Sequence, residues 1–76
     1  MSSQLSRQIG ANLKAARHAK DLSQSELGHL IGRDGFQVSR WERGKHRPSD
    51  AALMALAEAL GIDYADFYAE PEREAA

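Results

Sequence analysis

An all-α domain of five short helices is predicted by three features of this 76-residue chain. Apolar residues recur at three- and four-residue spacing almost throughout, and no segment alternates as a half-buried strand would. Ser23, Asp34, Ser49 and Asp63 each precede a helical segment, where a side-chain oxygen caps the free amides. Gly32, Gly44 and Gly61 follow three of these segments, where the chain must leave helical geometry.

The first helix is expected from about Gln4 to Lys20, with Leu5, Ile9, Leu13 and Ala16 on one stripe. Ser23-Gln24-Ser25-Glu26 reads as a capping box opening a second helix. That helix is expected to carry Leu27, Leu30 and Ile31 inward and to close at Gly32. Asp34 caps a third, short helix, with Gln37 in the reciprocal position; Val38 and Trp41 turn inward and Gly44 stops it. Lys45-His46-Arg47-Pro48 forms a loop. Ser49 caps a fourth helix with Leu53, Leu56, Ala57 and Leu60 on one face, ended by Gly61. Asp63 opens a last short helix from Tyr64 to about Ala69. Residues 1–70 are therefore expected to be one domain and residues 71–76 a flexible C-terminal tail.

Composition narrows the function. A domain this small buries only about 60 % of its unfolded surface. With no cysteine, neither disulfides nor thiolate metal sites supplement its core. No apolar run approaches the ~20 residues that span a bilayer, and residues 1–8 lack the apolar stretch of a signal peptide. A soluble, cytoplasmic protein with no membrane partner is expected. His18, His29 and His46 share no metal-ligand spacing, no nucleophile–base pair stands out, and the glycines form no phosphate-cradling loop after a strand. Neither catalysis, nor a metal or other cofactor, nor a small-molecule ligand is expected.

Net charge is −1, but its distribution is uneven. Residues 1–48 hold nine Lys/Arg against four Asp/Glu, whereas residues 49–76 hold one Arg against seven acids. One half suits a polyanion and the other does not, although ordinary surface charge on two helical halves gives the same count.

The segment from Gln24 to Arg43 has the layout of a helix-turn-helix. Gly28 sits where the second helix crosses the third, and a large side chain there would hold them apart. Gly32 takes the turn, and Leu27, Ile31, Val38 and Trp41 fill the wedge between the helices. On these residues the sequence resembles the Cro/phage-repressor (XRE) family of regulators. The likeness runs from about Ile9 to Phe67 and is carried by Leu22-Ser23-Gln24, Glu26-Leu27, Ile31-Gly32, Val38 to Gly44, Arg47-Pro48-Ser49 and Leu56 to Gly61. It implies a compact five-helix, lambda-repressor-like domain that binds double-stranded DNA sequence-specifically, usually as a homodimer on a palindromic operator. Two positions depart from the family pattern. Arg33 stands where an apolar residue is usual, so it must snorkel outward or meet a phosphate. Gly28 replaces a commoner alanine and should loosen the second helix by up to about 1 kcal/mol.

At about 100° per residue, Val38 and Trp41 define the buried face of the third helix. Phe36, Arg40 and Arg43 then point outward, with Ser39 beside them and Gln37 on the flank. Phe36, Gln37, Ser39 and Arg40 are the candidates for base readout. Phe can meet a thymine methyl, Arg can bond guanine O6 and N7, and Gln can pair with adenine. Each has a rival role: Phe36 as a staple against the second helix, Gln37 as a cap, Arg40 as a solvated or phosphate-bound side chain. Gln24, Arg33, Arg43, Lys45, His46 and Arg47 are the candidate phosphate contacts, with Lys14 a weaker one, and a solvated loop is the alternative for 45–47. Resemblance further implies that Arg17 and Glu42 form a structural ion pair, and that Leu60, Tyr64 or Tyr68 could meet a symmetry mate. The alternative to a prokaryotic or phage repressor is a protein-interaction module, such as an antitoxin or adaptor, that docks a basic partner on residues 58–74.

Overall fold

The computed structural model describes residues 3–70, so the expected tail at 71–76 lies outside the described residues. Four α-helices and a 3₁₀ helix account for the elements described: α1 Gln4–Ala19, α2 Gln24–Leu30, α3 Gly35–Glu42, α4 Asp50–Leu60 and the 3₁₀ helix Tyr64–Tyr68. The fifth helix is thus a tighter coil than expected. It is only five residues long, a length at which i→i+3 bonding competes well.

Side-chain caps set the helix starts. The Ser23 hydroxyl accepts from Glu26 N at 2.9 Å while Glu26 Oε1 accepts from Ser23 N at 2.8 Å, completing the capping box. Asp34 Oδ1 accepts from Gln37 N at 3.0 Å and Ser49 Oγ from Ala52 N at 3.1 Å. Ser3 adds a cap to α1, accepting from Ser6 N at 3.0 Å. Each such cap contributes about 1 kcal/mol. The reciprocal bond expected of Gln37 is not formed: α3 has the Asp34 half of the box only.

A shared device closes α3. Lys45 N donates to Arg40 O at 2.9 Å and Gly44 N to Trp41 O at 3.1 Å, with Gly44 at φ +72°. This crossed pair of bonds needs a left-handed residue, which glycine adopts without a Cβ penalty. The same crossed bonds end α1 at Asp21, whose φ of +54° is the single positive value for a non-glycine among the described residues.

The core draws Ile9 and Leu13 from α1, Leu27 from α2, Val38 and Trp41 from α3, Leu53, Leu56 and Leu60 from α4, and Phe67 from the 3₁₀ helix. Each fully buried aliphatic or Phe side chain contributes roughly 1.5–3 kcal/mol. Leu30 corrects the expected α2 stripe, being 61 % exposed. The buried residues of α2 are Leu27 and Gly28, with its C-cap Ile31 partly buried between them in projection, and Leu30 lies about 110° from the middle of that arc, on the open side.

Two glycines set helix contacts. A Cβ on Gly28 would stand 2.5 Å from the Asp34 carbonyl, so α2 rests directly on the turn that leads into α3. A Cβ on Gly10 would stand 2.6 Å from Glu42 O and closer still to Trp41 O, so α1 touches the end of α3 backbone to backbone. The 3₁₀ helix is tied to α1 by polar side chains. Gln8 Nε2 donates to Tyr68 O at 2.7 Å, and Asn12 Nδ2 to Phe67 O at 2.8 Å and Ala69 O at 2.6 Å. Among the described residues no helix is long and apolar enough to cross a membrane.

Candidate nucleic-acid interface

The α2–turn–α3 unit holds its outward face through a polar strut behind it. Arg17 Nε donates to Glu42 Oε2 at 2.6 Å and Arg17 Nη2 to Glu42 Oε1 at 3.0 Å. Arg17 Nη1 reaches Leu22 O at 2.8 Å, and Gln24 Nε2 reaches Glu42 Oε1 at 3.0 Å. Arg17 and Glu42 are only 8 % and 9 % exposed, and the hydrogen bond to Glu42 pushes the Arg17 pKa up, so the charge persists despite burial. One carboxylate therefore joins α1, the start of α2 and the end of α3. Gln24 is held by one amide N–H and keeps a second N–H and its carbonyl for a ligand.

On the open side, Phe36 is 83 % exposed, which excludes the staple role against α2. Arg40 and Arg43 are exposed beside it, and Gln37 and Ser39 are half-buried at the flanks. Gln24, Ser25, Asp34, Gly35, Phe36 and Ser39 together line a shallow concavity of about 400 Å³ between the start of α2 and α3. Of the base-reading candidates, Phe36 and Ser39 thus share this concavity with Gln24. Trp41 is buried, and the Arg33 guanidinium lies 5.8 Å from its ring centroid. Arg33 snorkels outward over the indole ring, a cation–π contact of roughly 0.5–1 kcal/mol at an exposed site.

The loop after α3 divides. Arg43, Lys45 and His46 are exposed, and His46 Nε2 lies 2.8 Å from Arg40 Nη2. Arg47 instead donates to the Tyr68 hydroxyl at 3.2 Å, with its guanidinium 5.9 Å from the Tyr68 ring centroid. The Tyr68 hydroxyl is 3.1 Å from that of Tyr64, which donates to Asp50 Oδ1 at 2.7 Å. Tyr64 spends its proton on Asp50, so the chain runs from Arg47 through Tyr68 and Tyr64 to the carboxylate. Tyr68 and Asp50 push the Tyr64 phenol pKa well up. This exposed chain fastens the loop to the start of α4 and to the 3₁₀ helix.

Of the three residues expected to meet a second copy, Tyr64 and Tyr68 keep part of their surface exposed, while Leu60 is fully buried. Leu60 is therefore withdrawn as an interface residue. It belongs to the inner stripe of α4, where Leu53, Leu56 and Ala57 share its face.

Sequence reasoning missed Gly10, Gln8, Asn12 and the Arg40–His46 contact. An interior helical glycine costs about 1 kcal/mol, which is itself a sign of close packing and could have singled out Gly10. The others depend on tertiary approach and leave no local mark.

A family model described as a helix-turn-helix domain matches residues 8–68. The repressor protein C2 of Salmonella phage P22 is 33 % identical over 52 residues, which is 68 % of this chain and 24 % of that repressor. Its crystal structure in complex with a synthetic operator superposes with a TM-score of 0.74 at 29 % identity, covering 78 % of this chain and 89 % of the other. The restriction-modification controller protein C.AhdI from Aeromonas hydrophila superposes with a TM-score of 0.79 at 35 % identity, covering 83 % and 96 %. An uncharacterised transcriptional regulator in the ATPase CF(0) region of Rhodospirillum rubrum is 32 % identical over 65 residues, or 86 % of this chain and 60 % of that protein. The chain thus spans less than two thirds of the length of these two curated relatives.

Proposed function

We propose that this chain, which belongs to the helix-turn-helix domain family, is a transcriptional repressor that binds double-stranded DNA sequence-specifically, inserting α3 into the major groove. The observation that carries this reading is the outward face of α3. An 83 %-exposed Phe36 beside Arg40 and Arg43 is poorly suited to water but well suited to thymine methyls and guanine edges. Gln24, Arg33, Arg43, Lys45 and Arg47 then meet the flanking phosphates, which position the protein without reading sequence.

The likeness to a phage repressor solved on a synthetic operator supports the same reading. The functional unit on this account is a homodimer on a palindromic operator, with two α3 helices about 34 Å apart, one turn of DNA. Tyr64 and Tyr68 are the residues assigned to the contact between copies, and the site of action is the cytoplasm, on the nucleoid.

Retardation of duplexes selected by the chain from a random pool, measured across a salt series, tests the proposal. Affinity should fall steeply with salt, and Arg40→Ala should remove the preference for one base. Binding that ignores both salt and Arg40 overturns it. Light scattering at micromolar concentration, with and without duplex, tests the dimer; a chain that stays monomeric on DNA contradicts it.

A further inference from the structure

We propose that His46 is a positioning residue for Arg40, steering its guanidinium toward one base, and not a phosphate contact. The inference rests on the reading of α3 as the recognition helix. Its cause begins in the backbone. The turn at Gly44, with Lys45 N bonded to Arg40 O at 2.9 Å, folds the chain back along the last turn of α3. Residue 46 is thereby returned to the side of residue 40, and His46 Nε2 comes within 2.8 Å of Arg40 Nη2.

The chemistry of that contact has one solution. A guanidinium carries only donors, so His46 Nε2 is the acceptor in this contact. One of the five N–H groups of Arg40 is used, and enough remain for a bidentate pair with guanine O6 and N7. Among the described residues the only ion pair is Arg17–Glu42, so no carboxylate holds Arg40. A carboxylate would orient Arg40 but also neutralise the charge that attracts it to DNA. An accepting ring nitrogen orients it and adds no opposing charge. Restricting a long, flexible side chain before binding reduces the ordering cost at the interface.

Phosphate contact and positioning differ in what they change. Loss of a charged phosphate contact weakens binding to all sequences alike and lowers the salt slope by about one. Loss of a positioning residue relaxes preference at a single base and leaves the slope alone. Duplexes selected from a random pool by the full chain, and their single-base variants, supply the probe. Affinities of the unchanged chain, His46→Ala, His46→Gln and Arg40→Ala are read by fluorescence anisotropy across a salt series. Melting of each variant is followed by circular dichroism.

Arg40→Ala should abolish the preference at one base pair. His46→Ala should reduce that same preference about three- to tenfold with an unchanged salt slope. His46→Gln, whose amide oxygen can accept from the guanidinium, should recover part of it. A uniform loss of affinity with a lower slope, or no change in preference, overturns the inference while the recognition reading stands. An Arg40→Ala variant that keeps every base preference overturns that reading and the inference with it.

Discussion

Replacing Glu42 with alanine should remove a large share of the domain's stability. The substitution removes the acceptor for Arg17 Nε at 2.6 Å, Arg17 Nη2 at 3.0 Å and Gln24 Nε2 at 3.0 Å. Arg17, 8 % exposed in the unchanged protein, stays charged and is left with the Leu22 carbonyl and the His18 ring. Breaking a buried pair by deleting one partner costs about 3–5 kcal/mol, because the other charge remains desolvated. At roughly 0.05–0.15 kcal/mol per residue, a chain of this length has about 4–11 kcal/mol in total. Urea unfolding followed by circular dichroism should show Glu42→Ala less stable than the unchanged protein by about 3–5 kcal/mol. Glu42→Gln, which keeps the shape and an acceptor, should lose less. A Glu42→Ala variant within about 1 kcal/mol of the unchanged protein would mean that the pair acts as an ordinary surface bridge, and would refute the strut.

Gly28→Ala sets two effects against each other: helix propensity favours alanine by about 1 kcal/mol, but its Cβ would stand 2.5 Å from the Asp34 carbonyl. Overpacking of this kind costs about 1–3 kcal/mol, so the variant should melt lower, and a higher melting temperature would contradict the contact. The bonds to Ser23 N and the Ser23 hydroxyl hold the Glu26 pKa below 4.5. Its contribution is therefore present above that value and lost as pH falls through the lower, folded-state pKa. The stability gap between the unchanged chain and Glu26→Gln should accordingly be constant from about pH 7 to 5 and close toward pH 3; a gap unchanged at pH 3 would argue against the box. Phe36→Ala should leave unfolding within about 0.5 kcal/mol while weakening duplex binding at fixed salt, because the side chain is exposed. A large loss of stability would place Phe36 in the core.

Local features were legible in the sequence because their causes are local. Ser23 with Glu26, Asp34, and Ser49 are caps whose partners lie three residues away, and Gly44 answers a backbone requirement of its own turn. The stripe of Ile9 and Leu13 on α1 follows from helical period alone. Leu30 shows where that reasoning stops: it lies on an apolar stripe, but α2 is seven residues long and buries only Leu27 and Gly28. Period also placed Leu60 on the inward face of α4, where it is fully buried, and only the interface role implied by resemblance failed. The site divides in the same way. The outward set Phe36, Arg40 and Arg43 follows from period, whereas Arg47 on Tyr68 and His46 on Arg40 depend on how the loop folds back. Gln37 was readable as cap or reader, and the structure lacks the return bond to Asp34 that the cap reading required.

Selection of bound duplexes from a random pool by the unchanged full chain tests the central claim most directly. The account predicts an enriched, two-fold symmetric site whose half-sites are centred about 10 base pairs apart, one turn of DNA. Recovery of no enriched sequence, with retention no greater than that of an arbitrary duplex at the same salt, would contradict it.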